Sequence, residues 1–92
     1  MEKLRFQKNT VQGTHGDYVA HSLATRRTYV ISRDHVIAGD WLLQVFSTIA
    51  YPGGALSYDP ADELDGHAAS TKAALVFDAN TMDSMVRQGV SA

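Results

Sequence analysis

Cysteine is absent from this chain of 92 residues, which excludes disulfides, thiolate nucleophiles and zinc sites built on sulfur. Long apolar runs are absent too. No stretch approaches the roughly 18 apolar residues that span a bilayer, so no membrane partner is expected. Bulky side chains are scarce: Leu, Ile, Val and Phe supply 21 of the 92 residues, and Trp occurs once. Twelve of the hydrophobic residues are alanines, which predicts a thin core. A chain this short is read as a single small domain over 1–92, burying about 60–65% of its unfolded surface, with no deep internal pocket. The start, Met1-Glu2-Lys3-Leu4-Arg5-Phe6, has no apolar run behind its basic residues, so a signal peptide is not expected. The expected location is the cytoplasm.

The motifs of catalysis are missing as well. Gly-x-Ser-x-Gly does not occur, and Gly53-Gly54 lacks the lysine and helix of a phosphate loop. His15, His21, His35 and His67 are never three or four residues apart, the spacing that puts two ligands on one helix face. The acidic run Asp59, Asp62, Glu63, Asp65, Gly66 suggests a calcium loop, but the frame starts at Ala61 and closes on Lys72, where the ligand should be an acid. No catalytic residue, metal or cofactor is therefore expected, and the chain is not read as an enzyme.

Charge is unevenly placed. The net value of −2 combines two opposed halves. Residues 1–35 carry Lys3, Arg5, Lys8, Arg26, Arg27 and Arg33 against Glu2, Asp17 and Asp34, a balance of +3. Residues 36–92 carry Lys72 and Arg87 against seven acids, a balance of −5. Such a dipolar surface favours charged partners or head-to-tail self-association.

Most of the chain reads as strands. Leu4-Arg5-Phe6-Gln7-Lys8 alternates apolar and polar residues, and Asp17 to Leu23 follows more weakly. Thr28-Tyr29-Val30-Ile31-Ser32-Arg33 is rich in the β-branched and aromatic residues that suit a pleated surface. Trp41 to Thr48 reads as a central strand. Residues 50–70 are expected to form a long surface loop, broken by Pro52-Gly53-Gly54 and holding one helical turn capped by Asp59 with Pro60 at its first position. Two readings compete for the C-terminal part. One is a single helix over about 71–88 with Leu75, Ala79, Met82 and Val86 on one face, which strands Phe77 in water. The other, preferred, is a strand over 73–77 followed by a helix capped at Asp78, with Phe77 stapled to Met82 and Gly89 as the stop.

The expected fold is α+β: an antiparallel sheet of four or five strands with one C-terminal helix packed on one face. Its predicted core is Leu4, Phe6, Tyr18, Tyr29, Ile31, Trp41, Leu43, Val45, Phe77, Met82 and Val86. Tyr51 and Tyr58 flank the Pro-Gly-Gly breaker beside Asp62 and Glu63, and these four residues are the candidate surface for a protein partner. Homodimerisation is a further expectation, since exposed strand edges and a thin core gain from pairing. Nucleic-acid binding through the basic hairpin of Arg26, Arg27 and Arg33 is the alternative.

The order Tyr29-Val30-Ile31-Ser32-Arg33, then Trp41-Leu42-Leu43, then Phe77-Asp78 resembles small uncharacterised proteins of actinobacteria and their bacteriophages. That resemblance covers roughly 17–48 and 73–89. It implies a phage accessory protein docking on a host protein, and it carries over no catalytic residue. The sheet with a basic hairpin is also similar to the domains at the front of phage integrases, which lay a three-stranded sheet in the DNA major groove. The departure is charge, because such modules are basic and this chain is net acidic.

Overall fold

The computed structural model describes residues 3–9, 16–33 and 41–89. Five antiparallel strands follow one another across a single sheet in the order β1-β2-β3-β4-β5. They are β1 (Gln7–Lys8), β2 (Tyr18–Ser22), β3 (Arg27–Arg33), β4 (Trp41–Ala50) and β5 (Leu56–Ala69), and helix α1 (Lys72–Arg87) ends the fold. The expected α+β architecture is present, with five strands and the C-terminal helix on one face of the sheet.

Alternation along the strands decides which residues that helix covers. Tyr29 faces Val45 and Ala20 across the ladder, and Ile31 faces Leu43 and Tyr18. Tyr29, Ile31, Leu43 and Val45 form one core cluster with Leu75 and Ala79 of α1, and Leu4, Phe6, Tyr18, Trp41 and Met82 pack around it. Nine of these eleven residues are expected core positions, and Leu75 and Ala79 are additions to that core. Val86 is half-buried, while Phe77 is 71% exposed.

Phe77 corrects the C-terminal reading. There is no strand over 73–77, because α1 starts at Lys72, where the Thr71 hydroxyl caps it by accepting from the Ala74 backbone N–H at 3.2 Å. Starting there places Leu75, Ala79 and Met82 on the inward stripe and turns Phe77 outward. Gly89 does stop the helix, at a left-handed φ of 75°, with its N–H donating to the Val86 carbonyl.

The segment expected as a loop over 50–70 is also corrected. It is the second arm of a hairpin. Tyr51 and Ala55 close the turn, whose Gly53 and Gly54 take φ of 97° and 93°. β5 then pairs with β4 as far as Ala69. Proline is accommodated by an excursion: Phe46 faces Glu63 and Thr48 faces Tyr58, so the four residues Asp59 to Asp62 stand opposite Ser47 alone. The expected helical turn at Asp59-Pro60 is absent, and the Asp59 carboxylate instead accepts from the Ala61 backbone N–H at 3.0 Å.

The other face of the sheet carries a second cluster of Val19, Val30, Phe46 and Tyr58. Phe46 and Tyr58 stack with centroids 4.9 Å apart. Val30 is fully buried there, and Gly16 lies so close that a Cβ on it would collide with Val30 Cγ1.

Candidate functional site

The helix has two working faces. Its inward face carries one charged group, Asp83, which is 2% exposed. A buried carboxylate is costly unless it is fully hydrogen-bonded, and here four donors converge on it. Ser22 Oγ donates to Oδ2 at 3.0 Å, Thr25 Oγ1 to Oδ1 at 2.7 Å and Tyr29 Oη to Oδ1 at 3.0 Å. Arg87, one helical turn on, adds Nε to Oδ2 at 2.9 Å. β2, the β2–β3 turn and β3 are thereby tied to a single atom pair on α1. Burial first, and the neighbouring Asp83 charge second, push the Tyr29 phenol well above its ordinary value. Tyr29 is wholly enclosed, and the set acts as a clamp between sheet and helix, with Asp83 and Arg87 also bordering a groove along α1.

The outward face carries Phe77. Its ring stands between two grooves. The larger, of about 580 Å³, runs along α1 past Val76, Asn80 and Ser84 to Arg87, with Lys3 on its far wall. The smaller, of about 280 Å³, lies between α1 and β5, where His67 Nε2 meets Asp78 Oδ2 at 2.9 Å. The Asn80 side chain, accepting from the Leu4 backbone N–H at 2.7 Å, fixes the N-terminal segment against the helix and so shapes the larger groove. Lys72 secures the helix start, its ammonium 3.4 Å from the Tyr18 ring centroid.

The four residues expected to contact a partner divide. Tyr51 sits at the hairpin turn and is 52% exposed. Asp62 and Glu63 are exposed on β5, where they accept from Ser47 Oγ and from Gln44 Nε2 respectively. Tyr58 does not belong with them. It is 3% exposed and serves the second core cluster, because its β5 position faces Thr48 and puts it beside Phe46.

The three arginines of the alternative reading are not brought together. Arg27 and Arg33 lie at opposite ends of β3, six residues and about 20 Å apart, with buried Tyr29 and Ile31 between them. Arg33 leans over the Trp41 ring at 5.5 Å, and Arg26 sits in the β2–β3 turn at a φ of 55°. Among the histidines, His15 and His35 lie outside the described residues. His21 Nδ1 shares a hydrogen bond of 2.8 Å with Thr28 Oγ1, and burial lowers its pKa. No group of three or more His, Asp or Glu among the described residues is arranged to hold a metal ion.

Sequence reasoning missed Phe77 and Asp83 as site residues. A signal for Asp83 existed: an acid beside Met82 and Val86 in an apolar stripe, with Arg87 four residues on. Phe77 was visible as exposed only under the single-helix reading. The chain matches no protein-family model, no curated protein and no solved structure.

Proposed function

We propose that the protein works without chemistry of its own, by docking onto another protein through the outward face of α1. One observation carries this reading: Phe77, 71% exposed, rises between two grooves on a helix that Asp83 holds to the sheet. A large aromatic side chain in water adds little to folding, yet burying it at an interface contributes about 2 kcal/mol. The partner that fits supplies apolar side chains to both sides of the ring. The spread of Arg26, Arg27 and Arg33 supports a protein partner over nucleic acid, which is gripped by a continuous basic patch.

Affinity capture from lysate with wild type, Phe77→Ala and Phe77→Asp tests the proposal. The expected result is a protein whose recovery falls about tenfold or more in both variants, a loss of about 1.4 kcal/mol, while their melting temperatures hold. Parallel variants Tyr51→Ala and Asp62→Asn/Glu63→Gln should keep that recovery. Loss in these variants with none at Phe77 would move the contact to the hairpin and overturn the reading. Recovery of no Phe77-dependent protein would overturn it too.

A further inference from the structure

The sheet ends in two edges of opposite charge. β5 is one edge, and its acids Asp62, Glu63 and Asp65 are all exposed, with Asp59 beside them. Their described hydrogen bonds come from uncharged groups: Ser47, Gln44, and the backbone N–H of Gly66 and Ala61. No ion pair engages them among the described residues. β1 is the other edge, and the segment leading through it carries exposed Lys3, Arg5 and Lys8 with no acid among residues 3–9.

An edge strand leaves a row of backbone N–H and C=O groups unpaired and invites another strand. Beyond the Pro60 excursion and a bulge at Leu64, β5 pairs regularly from Asp65 to Ala69, so Asp65 lies in the regular edge and Asp62 and Glu63 lie at its irregular end. Two β5 edges placed side by side would set acid against acid, a destabilising arrangement, so this edge is built against a symmetric dimer through itself. A basic strand removes that repulsion, and the chain carries one at its opposite edge.

We propose that the β5 edge receives a second copy of this chain, presenting its Lys3–Lys8 segment, so that the sheets of successive molecules join head to tail. This contact is heterologous and does not close on itself, so assembly continues past the dimer as concentration rises. It is held by exposed charges and is therefore sensitive to salt. It uses strand edges and not the Phe77 ring; Lys3 also borders the larger groove beside α1, so Phe77→Asp is the variant that tells the two contacts apart.

Sedimentation velocity over a range of protein concentrations, at about 50 mM and about 500 mM NaCl, reads the assembly directly. The expected result is a weight-average mass that climbs beyond the dimer at low salt and returns to the monomer at high salt. Lys3→Glu/Arg5→Glu/Lys8→Glu, with two acidic edges, should stay monomeric while remaining folded by circular dichroism. Asp62→Lys/Glu63→Lys/Asp65→Lys, with two basic edges, should do the same. An equimolar mixture of the two variants should associate again, which no folding defect would produce. A monomer under all conditions, a species that stops at the dimer, or a mixture that fails to associate would overturn the proposal. Association abolished by Phe77→Asp would also overturn it, since the contact would then lie on α1.

Discussion

Replacing Asp83 by alanine removes the one group on which Ser22, Thr25, Tyr29 and Arg87 converge. The cost follows from what is left behind. Tyr29 is fully enclosed and Ser22 is 2% exposed, so neither hydroxyl can turn to water once its acceptor is gone. Each orphaned buried group costs about 1–3 kcal/mol. Thr25 and Arg87 sit nearer the surface and can be rehydrated, and the Arg87 pair by itself is worth at most about 1 kcal/mol. The loss expected for Asp83→Ala is therefore about 3–5 kcal/mol, or roughly 12–30 °C in melting temperature for a domain of this length. Circular dichroism melts and urea titrations measure it. Most of that cost lies in the unpaired hydroxyls. Tyr29→Phe should therefore be destabilising in wild type and close to neutral in the Asp83→Ala background. A loss below about 1 kcal/mol for Asp83→Ala, or equal costs of Tyr29→Phe in both backgrounds, would refute the clamp.

Gly16→Ala should destabilise by about 2–4 kcal/mol, since a Cβ there meets Val30 Cγ1 at a φ of 132°; an unchanged urea midpoint would show that the second cluster yields freely. Phe77→Asp should leave the melting temperature within a few degrees of wild type, because the ring is mostly in water, and a collapse of the melt would show that the ring contributes to the core after all. His21 should make folding weaken on acidification. Burial holds its pKa below 6.5, so its contribution is complete above that pH and is lost as pH falls through the lowered folded value, where the unfolded chain takes up a proton that the folded chain resists. His21→Gln should flatten the profile of urea stability between neutral pH and about 5.5, and an unaltered slope would exclude this histidine as its cause.

How far the fold was legible depended on whether local pattern and burial agreed. In β3 they did. Tyr29 and Ile31 alternate with polar neighbours in a segment of high strand propensity, and both are fully enclosed under α1. In β5 they did not. The run Asp59 to Asp65 has neither alternation nor strand-forming residues and contains a proline, so it reads as loop. Its strand character comes from outside, from the ladder that β4 offers, and the Pro60 excursion absorbs the misfit. Tyr58 was misread for the same reason, because its burial depends on Phe46 across a pairing the local sequence does not announce.

Phe77 posed a different problem, a choice between two consistent patterns. Stapling it to Met82 satisfied a rule about burying large apolar side chains, and that rule tipped the reading toward a strand. The rule is weak for a single residue, since folded surfaces carry apolar side chains routinely. The helix from Lys72 instead gains full burial of both Leu75 and Ala79, a Thr71 cap and the Asp83 clamp, all from one continuous stripe. Several inward contacts outweigh one outward ring. That balance is also why Phe77 is informative. Among the described residues nothing requires an aromatic there: Leu75, Ala79 and Met82 define the helix face without it, and the grooves on either side leave both flanks of the ring open. A side chain that the fold neither buries nor needs is the one whose replacement separates binding from stability.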